Sequence, residues 1–273
     1  MTSLANISLH GLVPSEARCK RIIQTLLAGT DCCRTCGGGL SFKRTVTYGW
    51  CPTCRVKVRP KASTWFRGSK LRYQQVFTVL FCWQARQSPG ATKIATGLSY
   101  TTIARWYGRF RDKLPPDGGE LLSGVVAVDE AWFGKKRFDK RGHQTIVMGG
   151  IEVDTRRLRL QVIPDADQDS IELFLQKWVS RDSHLITDAA MVYSDAEWLG
   201  YSRESYNHSI GHFGMSNHIE CIWSAMKRHL RKLYGCVPTA HLQDFLKEWE
   251  ARHNQRSLFE SPLHYLRATV VPY

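Results

Sequence analysis

Acidic residues are scarce in the first part of this chain. Residues 1–120 hold 5 Asp and Glu against 19 Lys and Arg, whereas residues 121–273 hold 19 of each, so the whole net charge of +14 arises before residue 121. A surface made basic only for solubility has no reason to stop at one boundary, and a polyanion, nucleic acid first, is the expected partner of that part. Long apolar runs are lacking too. None approaches the roughly 18 residues a membrane helix needs, so no membrane association is expected. The opening MTSLANISLHGLVPSEARCK has no charged segment ahead of an apolar core, which predicts no secretory signal. The nine cysteines are odd in number and clustered, which argues against a disulfide scaffold and for a metal site in a reducing compartment.

Four of those cysteines carry the clearest spacing signal. Cys33-Arg-Thr-Cys36 is followed after fourteen residues by Cys51-Pro-Thr-Cys54. Each CxxC turn sets two thiolates on one face of a knuckle, and two knuckles complete a tetrahedral site of the kind that holds structural Zn²⁺. Cys32 is a spare thiol beside the first ligand, and a slip of register onto it stays open. Gly37-Gly38-Gly39 allows a tight turn after the first knuckle, and LSFKRTVTYGW between the pairs reads as strand material. A ribbon this small folds only with its metal. Lys43, Arg44, Arg55, Lys57 and Arg59 around it read as phosphate contacts rather than catalytic groups.

Residues 70–113 read as three helices. KLRYQQVFTVLFCWQAR places apolar residues at helical spacing, Ser88-Pro89-Gly90 breaks it, and ATKIATGL forms a short second helix ending at Gly97. Ser99 is the predicted N-cap of TTIARWYGRFRDKL. A short helix, a glycine turn and a longer basic helix make a helix-turn-helix pattern, with a plain three-helix packing module as the bland alternative. Thr101, Thr102 and Arg105 then fall where base edges are read, and Arg109 and Arg111 where phosphates are met. Pro115-Pro116-Asp117-Gly118-Gly119 reads as a linker.

Beyond the linker the pattern changes to α/β with a mixed sheet. In VVAVDE, Val125, Ala127 and Asp129 share one face of a strand, and Val126, Val128 and Glu130 share the other. Strands are predicted over 143–153, 157–164 and 184–187, and helices over 170–180, 217–234 and 239–253. Asp129 and Asp188 each end a strand. Were those strands neighbours, the two carboxylates would meet at one sheet edge, where a pair of Mg²⁺ ions is clamped in phosphoryl-transfer sites. Glu130 is an alternative to Asp129, and Asp182 and Asp195 are weaker alternatives to Asp188. Asn217, Glu220, Ser224, Lys227 and Arg231 form one helical stripe. Glu220 would reach the metals from it, with Lys227 and Arg231 on phosphates; a merely solvated face is the other reading.

At these residues the chain resembles a known family. VDEAWFGKK, ITDAAMVY, YNHS and NHIECIWSAMKRHLRKLYG followed by HLQDFLKEWEARHNQR resemble the DDE-type insertion-sequence transposases of the ISXO-type group, bacterial relatives of Merlin transposons. The resemblance runs from about residue 28 to near the end. It implies a zinc ribbon, a helix-turn-helix and an RNase H-like catalytic domain, and so a division into an N-terminal helical segment (1–27), ribbon (28–60), helix-turn-helix (61–118) and catalytic domain (119–273). It implies the acids Asp129 and Asp188, with Tyr193 closing the second motif. It also sets Asn217, Ile219, Glu220, Trp223 and Lys227 in the N-x-I-E-x-x-W-x-x-x-K motif, with Asn217 the alternative to Glu220 as third metal ligand. His208 falls in the matching Asn-His-Ser motif. Phe133-Gly134-Lys135-Lys136 lacks the usual double glycine and Met215-Ser216 replaces His-Thr; neither removes a proposed ligand.

The implied activity is cleavage and strand transfer of double-stranded DNA at terminal inverted repeats, by a homodimer or larger assembly using two Mg²⁺ ions (Mn²⁺ as a substitute) and a structural Zn²⁺. The implied location is the cytoplasm, on the nucleoid, in a bacterium, or the nucleus in a eukaryote. A zinc-ribbon regulator without catalysis and an RNase H-like nuclease without strand transfer are the rival readings.

Overall fold

The computed structural model describes residues 13–28, 33, 35–42, 49–58, 65–66, 68–134, 144–188, 190–206 and 217–270. Lys43, Arg44, Arg59 and His208 therefore lie outside the described residues, as does Cys32. The chain divides into two compact units, Met1–Pro115 with Ser257–Tyr273, and Pro116–Arg256. The division falls between Pro115 and Pro116. The return of residues 257–273 to the first unit departs from the expected 119–273 catalytic domain.

The first unit begins with α1 (Glu16–Ala28). β1 (Ser41–Phe42), β2 (Gly49–Cys51) and β3 (Val56–Val58) form a small antiparallel sheet in that order. β3 was not anticipated; three residues are too few to show a period. α2 (Tyr73–Gln84), α3 (Pro89–Thr96) and α4 (Tyr100–Asp112) are the three predicted helices. Ser88 and Ser99 cap α3 and α4, each accepting a backbone N–H through its hydroxyl, and Gly97 ends α3 in the left-handed region at φ 68°. α3 starts two residues earlier than the sequence suggested. Pro89 occupies its first turn, where a missing N–H costs nothing.

α8 (Pro262–Thr269) completes the unit. Trp83, Phe110 and Tyr265 meet ring to ring at centroid separations of 5.4–5.8 Å. The Tyr265 hydroxyl donates to the Phe110 carbonyl at 2.8 Å, and Gln84 Nε2 donates to the carbonyls of Leu258 and Ser261. These bonds explain why the tail belongs here. α1, read from sequence as an amphipathic helix of unassigned role, docks on α2, and its Glu16 carboxylate accepts the N–H groups of Tyr73 and Gln74 at 3.1 and 2.7 Å. A distant acid thus supplies the α2 cap.

The second unit is a sheet covered on both faces. β4 (Val125–Phe133), β5 (Thr145–Glu152) and β6 (Leu158–Ile163) form an antiparallel meander. β7 (His184–Asp188) then pairs parallel to β4, and β8 (Ser202–Tyr206) parallel to β7. The order β6-β5-β4-β7-β8 makes a five-stranded mixed sheet, antiparallel on the β5 side of β4 and parallel on the β7 side. α5 (Gln168–Trp178) and the 3₁₀ turn Met191–Ala196 pack on one face, where Val126, Val128, Phe174 and Tyr193 are buried. α6 (Asn217–Tyr234) and α7 (Leu242–Asn254) cover the other with Ala127, Ile219, Trp223 and Leu246. The alternation of β4 is as predicted. β8 was missed, because SRESY is polar on both faces and carries no period-2 apolar signal.

Asp117 also departs from its expected role. Far from being a free linker residue, it pairs with the fully buried Arg159 of β6, which also meets Glu250 of α7 at 2.9 Å and donates to the Glu120 carbonyl at 2.7 Å. Asn254 Nδ2 donates to Asp117 at 3.0 Å as well. The segment entering the unit is thereby tied to its sheet and last helix.

Replacing Glu16 with Ala leaves the first N–H groups of α2 without their acceptor. The expected loss is about 1 kcal/mol of unfolding free energy, as for other lost N-caps, read as a lower urea midpoint at unchanged slope.

Candidate active site and metal centre

Two places gather metal-ligand chemistry. The first is the cysteine cluster, where the ligand atoms of Cys33, Cys36, Cys51 and Cys54 all lie within 4.8 Å of one another. Each knuckle turns through a left-handed residue just after its second cysteine, Gly37 at φ 70° and Arg55 at φ 55°. The Thr35 amide points at Cys33 and holds its thiol down at about 6. Gly38 is confined by the second knuckle: a Cβ there would come within 3.0 Å of Thr53 Oγ1. The described basic residues Arg55 and Lys57 are exposed beside the cluster.

The second place is the edge of the large sheet at Asp129. β4 and β7 pair in the register Val125↔His184 to Ala127↔Ile186, and two further residues set Asp129 level with Asp188. Neighbouring strands are about 4.8 Å apart, so both carboxylates belong to one edge. Asp129 lies on the face covered by α6, and Trp223 Nε1 donates to its Oδ2 at 2.9 Å. Burial raises the Asp129 carboxyl to about 7, helped by the charges of Glu130 and Asp188 and opposed by the Trp223 bond. Glu130 points the other way, where its carboxylate accepts the buried Tyr193 hydroxyl at 2.6 Å; burial raises its affinity for a proton too. At Asp188, Oδ1 accepts the Ala190 N–H at 3.1 Å, while Arg203 donates to the Asp188 carbonyl at 3.0 Å. The other candidate acids lie apart from this pair: Asp182 is exposed in the turn before β7, and Asp195 accepts from Gln168 Nε2 at 2.5 Å.

A glycine makes the Trp223 contact possible. Gly149 stands opposite Asp129 in the β4–β5 register, and a Cβ there would lie 2.5 Å from Trp223 Cη2. The benzo ring of the indole abuts the bare backbone of Gly149, and its N–H reaches the Asp129 carboxylate. Sequence reasoning named Trp223 and Tyr193 only as motif members and did not remark Gly149. The apolar stripe of α6 was a signal for Trp223, but the partner across the sheet was not legible.

Glu220 lies one turn before Trp223, on an exposed flank of α6 with Lys227 and Arg231. Lys227 Nζ sits 5.4 Å above the Phe133 ring. Asn217 opens the helix. Among the described residues, the four cysteines are the sole group of three or more His, Cys, Asp or Glu whose ligand atoms approach within 4.8 Å of one another. Asp129 and Asp188 are thus brought to one edge, and Glu220 is not drawn in to that distance. In the first unit, Thr101 and Arg105 are exposed on α4, Thr102 is half-buried with its hydroxyl 2.8 Å from that of Ser99, and Arg109 is half-buried over the Trp106 ring.

Among the described residues no helix is long and apolar enough to cross a membrane. No curated protein matches the chain. Solved structures similar to it include the catalytic core domain of BIV integrase, at 17% identity and a TM-score of 0.35 over 48% of this chain and 82% of that one. The HTLV-2 integrase catalytic core domain in complex with magnesium, in its dimeric form, is similar at 10% identity and a TM-score of 0.35, over 55% of this chain and 97% of that one. The family model described as the ISXO2-like transposase domain matches residues 121–254, a span that takes in β4 through α7 with Asp129, Asp188 and Glu220. Residues 121–254 therefore belong to the ISXO2-like transposase family.

Proposed function

We propose that this chain is a DNA transposase that binds the terminal inverted repeats of a mobile element, cuts the DNA at their ends and joins the freed 3′-ends to target DNA. The observation that carries the reading is the pairing of Asp129 with Asp188 at one sheet edge within an ISXO2-like transposase domain. Oxygen donors of this kind suit Mg²⁺, and a carboxyl pushed up to about 7 by burial and two neighbouring acids is one whose charge a divalent cation would relieve. Asp129 and Asp188 would hold two Mg²⁺ ions, which Mn²⁺ can replace. Glu220 is the third ligand, with Asn217 the alternative at the same helix end. When bound, such ions supply activation of water or a 3′-hydroxyl and charge stabilisation at the leaving oxygen.

The protein's own part is placement. The Trp223 N–H holds Asp129 in one rotamer, the Ala190 N–H orients Asp188, and Lys227 and Arg231 meet phosphates along α6. In the first unit, the four cysteines suit structural Zn²⁺, because a tetrahedron with Zn–S bonds of about 2.3 Å has edges of roughly 3.8 Å. Thr101, Thr102 and Arg105 would read base edges, and Arg55, Lys57 and Arg109 would hold phosphates, together with Lys43, Arg44 and Arg59. Two element ends must be processed together, so the working form is a homodimer or larger assembly on DNA.

Three measurements test this reading. Asp129→Ala and Asp188→Ala should each reduce Mg²⁺-dependent nicking of element-end DNA by at least about a thousandfold while end binding stays within about twofold. Normal cleavage by either variant would remove that acid from the site. Because Asp129 takes up a proton below about 7, Mn²⁺ affinity by calorimetry should rise up to about tenfold per pH unit as pH climbs towards 7, then level off above it. A flat profile from pH 6 to 8 would mean that Asp129 does not bind the ion. Stripping zinc with a chelator should erase the amide NMR signals of β1–β3 and leave those of the β4–β8 sheet in place, since the small sheet has almost no core of its own.

A further inference from the structure

The strand end that carries Asp188 is gripped by a side chain from the next strand. In the parallel β7–β8 register Arg203 pairs with Leu185, which is buried on the face covered by α5. Alternation therefore puts Arg203 and Thr187 on that face. It puts Ile186 and Asp188 on the other, where Ile186 is buried under α6. The half-buried Arg203 reaches along β7 to its end. Its Nε donates to Thr187 Oγ1 at 2.9 Å, and its Nη2 donates to the main-chain carbonyls of Asp188 at 3.0 Å and Ala190 at 3.4 Å. The guanidinium carbon also stands 5.7 Å from the centre of the buried Tyr193 ring, whose hydroxyl donates to Glu130 at 2.6 Å.

These contacts surround the point where the ladder stops. The β7–β8 register ends at the Asp188↔Tyr206 pair, and the Ala190 N–H turns back to Asp188 Oδ1 at 3.1 Å. The direction of that carboxylate thus depends on the turn after the strand. A guanidinium is planar and carries five donors in fixed directions, so one group can serve a hydroxyl and two carbonyls while it rests by a ring; an ammonium has no such fork. We propose that Arg203 is a positioning residue for the acid site: from the α5 face it fixes the turn after β7, and so the direction in which Asp188 presents its carboxylate on the α6 face. Through Tyr193 and Glu130 the same guanidinium is coupled to the β4 segment beside Asp129. Arg203 lies on the opposite face from the two acids, so its effect on a bound metal passes through Asp188. Partners behind the ligands commonly tune metal affinity in this way. The inference rests on the metal-site reading above, because it concerns how that site is held.

The test uses the full chain with Arg203→Ala and Arg203→Lys, at a temperature well below the melting point of each variant. In the metal-free protein, hydrogen exchange at the Ala190 amide should quicken about tenfold in both variants, while amides of β4 and β5 keep their wild-type rates. Mn²⁺ affinity by calorimetry should fall about 10–100-fold in Arg203→Ala. Lys should recover little of it, whereas millimolar methylguanidinium added to Arg203→Ala should recover most. Thr187→Val removes one acceptor at nearly constant volume, and should give a smaller loss of the same sign if Arg203→Ala does not fold. Wild-type Mn²⁺ affinity in a folded Arg203→Ala, even one that melts earlier, would show a purely structural arginine and overturn the proposal. Full recovery by Lys, or unchanged Ala190 exchange, would overturn it as well, the first by showing that charge alone suffices. The two readings fail separately. Loss of Mn²⁺ binding in Asp188→Ala but not in Arg203→Ala removes the positioning role alone. A wild-type protein that binds no Mn²⁺, with the Ala190 amide loosened in Arg203→Ala, removes the metal site and leaves the hold of Arg203 on the turn.

Discussion

The parallel pairing of β4 with β7 is the constraint on which the candidate site depends. It brings Asp129 and Asp188, 59 positions apart in the chain, level at one sheet edge. Two neighbouring carboxylates repel, and burial adds to the cost, which is why Asp129 is pushed up to about 7. Such an arrangement persists because the surrounding fold holds it. β4 is paired along both edges, β5 on one side and β7 on the other, and both faces of the sheet are covered. The edge where the acids sit is stable because everything beneath it is packed, and the repulsion it stores is of the kind a bound cation removes.

The helix that completes this edge is held by one polar contact and one missing side chain. Trp223 buries its ring in the layer between the sheet and α6 and spends its N–H on Asp129. That satisfies a donor that would otherwise be buried without a partner. The ring can lie there only because position 149 carries no Cβ. Trp223 thereby sets how α6 lies on the sheet at this level, and with it the direction taken by the flank bearing Glu220, Lys227 and Arg231. On the opposite face Tyr193 does similar service for Glu130. The two adjacent acids of the VDE motif thus have different surroundings because successive strand residues point to opposite faces.

Much of this was legible where the signal is local. The two CxxC pairs place four sulfurs together irrespective of the rest of the fold. Ser88, Gly97 and Ser99 mark helix ends through their own backbone chemistry. Val125 to Glu130 sort onto two faces by simple alternation. Other features left no local trace. SRESY does not read as a strand until β7 offers it an edge. Asp117, in a run of proline and glycine, looks like a linker residue until Arg159 and Asn254 are seen around it. The last helix returns to the first unit through Tyr265, Leu258 and Ser261, contacts made with residues about 155–177 positions away.

The amino-acid sequence by itself determined the basic character of the first 120 residues, the spacing of the cysteine knuckles, the helix-turn-helix pattern and the two-faced alternation that separates Asp129 from Glu130, because charge, short spacing and periodicity are properties of neighbours in the chain. The tertiary structure alone decided which strand stands beside β4, that Trp223 rather than solvent meets Asp129, and that Glu130 turns to Tyr193. Those outcomes depend on pairing and burial between distant segments. The free energy of such contacts is set by what each surface excludes from water once the whole unit has closed, and no window of sequence contains both sides of the contact.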